Sequence, residues 1–354
     1  MTPSRSSRTC SSADLALALI VAAGVACAPA RPPSPSPLLA RPFPIQAAPS
    51  YPGALFHWID SLAGTSNGKT IPVHRQQYVD LYGAFTVEDQ AALEAFIAAR
   101  ADDLRRQETA AERDGPSVKF SALLGMFCAA STVDDALAQA RKQLSQASYD
   151  GLAGALSHFA PKYARIWNDG AIPKAFLDRA RADRSIPRLE DLLLRIVAFY
   201  DVDPRSAPPP HLALVPVPPG GGTHAEAIGP VLLLEIREGD TLADEASVIV
   251  HETSHFLWKL VSDDRQERLL AVARRLDETP PKVVPLLGEA VPTALGQGIA
   301  DKMFRPRGWS LGHPWYHIPE VDLLAKRIFP LVQVTLQDGK TFDDRFVEQV
   351  YERK

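Results

Sequence analysis

Cysteine is scarce in this chain: three of 354 residues, Cys10, Cys27 and Cys128. A disulfide framework is therefore excluded as the source of its stability. Cys128 follows the apolar run Leu123-Leu124-Gly125-Met126-Phe127 and reads as a small buried hydrophobe. Positive charge is not in excess either. Lys and Arg number 38 against 42 Asp and Glu, a formal net charge of −4, so no basic face is implied and nucleic acid is not an expected partner. No internal repeat is present, and Gly and Pro show no period, which excludes solenoid and collagen-like architectures. The apolar run Leu15–Ala26 is too short to span a bilayer as a mature helix.

That run has the layout of an export signal. Arg5 and Arg8 give a positive start, and small residues follow the apolar stretch. Gly24-Val25-Ala26-Cys27 resembles a lipobox, in which Cys27 would carry lipid and tether the chain to a membrane; Ala26-Cys27-Ala28 also fits ordinary cleavage. Eight prolines between Pro29 and Pro49 make the next stretch an extended spacer. The expected organisation is a signal at 1–27, a Pro-rich linker at 28–50, a helical region at 51–205 and a catalytic region at 206–354. The protein is thus expected in the cell envelope as a lipoprotein, or secreted.

Helical periodicity dominates 51–205. Val87–Arg106 begins after Thr86, a capping residue, with Glu88 and Asp89 in its first turn. Val133–Ser148, Gly151–Trp167 and Leu189–Phe199 repeat the style, and Trp58 and Trp167 read as core or cleft wall. After Pro208-Pro209-Pro210 the pattern changes. His211–Val217 and Gly229–Arg237 are rich in Val, Leu and Ile and read as strands. A helix capped by Asp240 or Thr241 follows and runs to about Leu260. Further helices are expected at about Val284–Met303, Glu320–Leu336 and up to Lys354.

The helix after the second strand carries His251-Glu252-Thr253-Ser254-His255, an HExxH motif. Residues i and i+4 share one helical face, so both imidazoles can address one metal ion. Zinc takes His nitrogen at about 2.0–2.1 Å. Glu252, beside the first ligand, can reach water at the metal and act as general base. The flanking residues Val248, Ile249, Val250, Phe256 and Leu257 are apolar, so the polar triad needs a partner in a buried setting, and a metal supplies one. A catalytic zinc site uses three protein ligands. Val261 and Trp258 exclude the HExxHxxGxxH class, and Asp263 and Asp264 lie about 12 Å further along the helix at ~1.5 Å per residue. Glu289 is a lone acid in Pro285-Leu286-Leu287-Gly288-Glu289-Ala290-Val291, and Gly288 and Ala290 permit close approach to the first helix. Glu289 is therefore the candidate third ligand; the alternative is an ion pair with a nearby Arg.

His251-Glu252-x-x-His255 with a downstream Glu289 resembles the gluzincin branch of the zincin metallopeptidases over about residues 229–300. The resemblance implies an α+β, mostly helical, zincin-like fold, with a small sheet packed on the HExxH helix. It implies one zinc ion at His251, His255 and Glu289, with Glu252 as base and proton shuttle and a peptide or protein as substrate. It also implies an edge strand that pairs with substrate backbone, for which Val231–Arg237 is placed. Such peptidases use a Tyr or His to stabilise the oxyanion. Tyr316 and His317, in Gly312-His313-Pro314-Trp315-Tyr316-His317, are both candidates. Two other functions remain open: a non-catalytic zinc-binding envelope lipoprotein, and a zinc hydrolase of a non-peptide amide.

Overall fold

In the computed structural model, residues 43–66, 70–114, 122–221, 224–276 and 284–352 are described, and these described residues belong to one compact unit. The expected signal, with Cys10 and Cys27, and most of the expected linker lie outside the described residues. The fold is α+β and mostly helical, with one four-stranded sheet. In chain order come β1 (Gln46–Pro49), α1 (Tyr51–Ala63), α2 (Ile71–Tyr82), α3 (Val87–Asp114), α4 (Ala122–Ala129), α5 (Val133–Ala140), α6 (Gln146–Trp167), α7 (Ala171–Ala182) and α8 (Ser185–Phe199). Then follow β2 (His211–Pro216), β3 (Ala225–Ile228), β4 (Val231–Ile236), α9 (Leu242–Leu260), α10 (Asp263–Leu276), α11 (Val284–Thr293), a π-helical segment (Ala294–Ala300), α12 (Asp301–Phe304), α13 (Pro319–Gln337) and α14 (Asp344–Glu352). Among the described residues no helix is long and apolar enough to cross a membrane.

The strand order is β1-β2-β4-β3, with β1, β2 and β4 parallel and β3 antiparallel to β4. Strands β2 and β4 read HLALVP and VLLLEI, apolar at consecutive positions rather than at alternate ones. Such runs suit strands covered on both faces. Leu212, Leu214, Leu232, Leu234 and Ile236 face one core, built with α7 to α14. Ala213, Val215, Val231 and Leu233 face the other, built with α1 to α6. The sheet is the shared middle layer, so the two cores do not divide at residue 205: α7 and α8 pack with the C-terminal helices.

Several expectations change. β1 lies at the end of the stretch read as linker; Pro49 is tolerated because the strand is at the sheet edge. The helix expected over Val133–Ser148 stops at Ala140, and Ser145 caps a new one by accepting from Ser148 N at 3.3 Å. The strand expected over Val231–Arg237 is not an edge. β4 is hydrogen-bonded on both sides, to β2 and to β3, because all six of its residues are buried. The edge on this side is β3, joined to β4 by Gly229-Pro230. Cys128 and Trp58 are buried in the core, as read from the sequence, and Trp167 packs partly buried against the same cluster.

Candidate metal centre

α9 is the element that presents the site, and both its ends are fixed by local chemistry. Gly239, at φ 90°, takes a turn geometry that favours glycine, and lets β4 reverse into α9 within a few residues. Asp240 Oδ2 accepts from Arg237 N at 2.7 Å. Thr241 and Asp244 then form a capping box in which Asp244 Oδ2 accepts from Thr241 N at 2.9 Å. At the other end Gln266 Nε2 donates to the carbonyls of Trp258 (3.1 Å) and Val261 (2.7 Å). Between these ends Ile249, Val250, Phe256 and Leu257 are buried, and each contributes about 1.5–3 kcal/mol of apolar burial. That burial turns the face bearing His251 and His255 toward α11.

The partner helix reaches α9 through a backbone device. Pro292 lies near the end of α11 and has no N–H to donate to the carbonyl four residues earlier. The chain then widens into π-helix over Ala294–Ala300. Gly296 sits in that segment, where a Cβ would lie 2.4 Å from Ser247 O and 3.2 Å from His251 Cβ. Only a residue without a side chain allows this approach, which brings Glu289 over the two histidines.

The three side chains converge. His251 Nε2 and His255 Nε2 are 3.1 Å apart, and each is 3.4 Å from Glu289 Oε2. Four ligands at ~2.0–2.1 Å around a tetrahedral ion stand roughly 3.3–3.4 Å from one another. The spacing of these donors thus fits one zinc ion held by two imidazoles and a carboxylate. His251 is buried, His255 is half-buried, and the Glu289 side chain is 38% exposed. The cluster therefore has a closed side and an open one. No Arg pairs with Glu289 among the described contacts; its neighbours are the two histidines and Tyr316. Burial pushes the Glu289 carboxyl up, and the two imidazoles outweigh it, holding the group well below the usual carboxylate range.

Tyr316 completes the surroundings. Its hydroxyl donates to Glu289 Oε2 at 3.0 Å, and its ring stacks on that of His251 at 6.0 Å with 15° between planes. Burial and the Glu289 charge push its hydroxyl well above the usual tyrosine value, so it is a proton donor at neutral pH. Glu252 is half-buried, and its charge adds to the rise of the same hydroxyl. His317 is exposed, with its ring 4.6 Å from that of Tyr316. The contact from this loop to Glu289 is made by Tyr316.

The groups that hold this loop lie outside the motif. Asp322, in the first turn of α13, accepts from Trp315 N (2.5 Å) and Tyr316 N (3.3 Å) and pairs with Lys326 at 2.8 Å. Trp315 packs against Phe329 and the backbone of Gly298. An acid at the start of a helix just after an aromatic loop was the available signal. Beside His255 an apolar cavity of about 140 Å³ is walled by Tyr200, Trp258, Leu269, Leu287, Val291 and Phe342. Comparison with known proteins found no matching family model, no matching curated protein and no matching solved structure.

Proposed function

We propose that this protein is a zinc-dependent metallopeptidase of gluzincin type, with His251, His255 and Glu289 as ligands and Glu252 as general base. The observation that carries the reading is the triangle of donor atoms, 3.1, 3.4 and 3.4 Å on its edges, next to a glutamate on the same helix. A zinc ion bound there would supply Lewis acidity toward a peptide carbonyl and lower the pKa of water. Glu252 then removes the proton from the attacking water and delivers it to the leaving amine nitrogen. Tyr316 orients Glu289 through its hydroxyl and stands beside the cluster as a donor for developing negative charge.

The substrate side follows from the surroundings. The cavity beside His255 accepts an apolar side chain. Strand addition falls to β3, which ends the sheet, rather than to the internal β4. The exposure of Glu289 favours catalysis over a purely structural zinc, whose site would be closed by protein on all sides. The export signal and Pro-rich spacer put the activity outside the cytoplasm, with Cys27 as its tether when lipidated.

The test is cleavage of casein and of a peptide panel by purified full-length chain reloaded with zinc. The expected result is hydrolysis that a chelator abolishes and added zinc restores. An intact panel with zinc loaded contradicts the peptidase reading, and hydrolysis confined to non-peptide amides would replace it with the amidohydrolase.

A further inference from the structure

A second group of metal-binding side chains lies away from the HExxH site, where α1, α2 and β4 meet. His57 on α1, His74 on α2 and Glu235 on β4 have exposures of 2%, 2% and 0%, and their ligand atoms all lie within 4.8 Å of one another. His57 Nε2 is 2.6 Å from Glu235 Oε1, and His74 Nε2 is 3.9 Å from it. The Thr70 hydroxyl donates to Glu235 Oε1 at 2.6 Å and fixes the carboxylate. The two imidazole planes stand at 86°, with centroids 5.7 Å apart.

The hydrogen bonding of this group is incomplete. His74 Nδ1, His74 Nε2, Glu235 Oε2 and Gln77 Oε1 are buried without a hydrogen bond of normal length and angle, and the polar neighbours of the His74 ring include Glu235, 3.9 Å from Nε2, and Gln77. Buried polar atoms of folded proteins are paired in the great majority of cases, and leaving one unpaired costs roughly 1–3 kcal/mol. A simple imidazole–carboxylate pair between His57 and Glu235 would leave His74 and the second carboxylate oxygen unexplained. An ion would engage both.

The place of the cluster in the fold gives such an ion a purpose. The buried residues of α2 are His74 and Tyr78; Tyr78 packs on Trp58, Phe85 and Phe159, and His74 faces α1 and the sheet. Glu235 is the one acid in a strand that is otherwise apolar and wholly buried. A charge thus occupies a core position at the point where α2 docks on α1 and the sheet.

We propose that His57, His74 and Glu235 form a second, structural divalent-metal site, suited to zinc by its two imidazoles and one carboxylate, that staples α2 to α1 and the sheet. The ligand set is borderline in softness, as zinc prefers, and all three side chains are buried, away from the solvent that a catalytic site keeps open. On loading, the ion takes the place of the proton shared by His57 Nε2 and Glu235 Oε1, and that proton leaves to solvent. The site shares no residue with the HExxH cluster, so the two are loaded and counted separately.

The experiment counts metal. Full-length wild type, the double variant His251→Ala/His255→Ala, and that variant with His74→Gln added are stripped with chelator, reloaded with zinc, gel-filtered and assayed by mass spectrometry. With two clusters, the expected zinc per chain is two in wild type, one in the double variant and none in the triple variant. Zinc is also expected to raise the melting temperature of the double variant by several degrees and leave the triple variant unmoved. If His74→Gln does not fold, Glu235→Gln, which keeps the shape and removes the charge, takes its place. A double variant that binds no zinc overturns the proposal, and so does one whose zinc survives the third substitution.

Discussion

Replacing Glu252 by Gln is expected to slow peptide cleavage by about 10²–10⁴-fold, the usual contribution of a positioned general base. That loss corresponds to roughly 3–5 kcal/mol of barrier. The zinc content should be unchanged, because Glu252 is not among the side chains that converge on the metal position. The separation follows from helix geometry. His251 and His255 are one turn apart on the face turned to Glu289, and Glu252 is rotated about 100° from His251 at 3.6 residues per turn. Its carboxylate is thereby kept out of the donor triangle. Steady-state cleavage and metal analysis on the same preparation decide the matter. Equal rates in wild type and variant would remove Glu252 from the mechanism, and loss of zinc would make it a ligand instead.

The second large effect concerns stability. Glu245 lies in the first turn of α9, 1% exposed, and its Oε2 has no hydrogen-bond partner. Burial raises its carboxyl from the ordinary 4.5 to about 8, with Asp240 and Asp244 adding to the rise and Arg237 and Arg305 opposing it. The folded state therefore holds this proton more tightly than the unfolded chain does. The contribution is fully present below pH 4.5 and is lost progressively between 4.5 and about 8. At ~1.4 kcal/mol per pH unit, about 3 kcal/mol of this contribution is gone by pH 7, because the unfolded chain has released the proton that the folded chain keeps. Glu245→Gln mimics the protonated form. It is expected to stabilise the protein by about 1–3 kcal/mol at pH 7–8 and to be neutral near pH 4.5. Melting temperatures of wild type and variant across that range check it. A difference that does not vary with pH would show that Glu245 is not a buried acid in the folded protein.

The active helix was legible because its signals are local. Thr241 and Asp244 mark its start, apolar residues recur at helical spacing, and HExxH places two imidazoles on one face. Glu289 was legible for a different reason: an acid in a run of apolar and small residues calls for a partner. Glu235 carries the same signal inside VLLLEI, and its partners His57 and His74 come from helices far away in the chain. Pairwise convergence of that kind leaves no mark in the sequence. The strand itself held a clue against the edge role first given to it, since residues apolar on both faces belong in the middle of a sheet. β3, with four residues and one β-branched side chain, and β1, next to prolines, are strands made by pairing rather than by propensity. The π-helical segment is a change of hydrogen-bond register that only Pro292 and Gly296 foreshadow. It matters because the close approach of Gly296 to Ser247 and His251 sets how near Glu289 comes to the histidines.

The central claim is that two imidazoles and one carboxylate share a single zinc ion. Crystals grown with zinc and measured on both sides of the zinc absorption edge test it most directly. An anomalous peak is expected at about 2.0–2.2 Å from His251 Nε2, His255 Nε2 and an oxygen of Glu289 together. Fully zinc-loaded crystals with no peak between those three atoms, or with Glu289 turned away from it, would contradict the account.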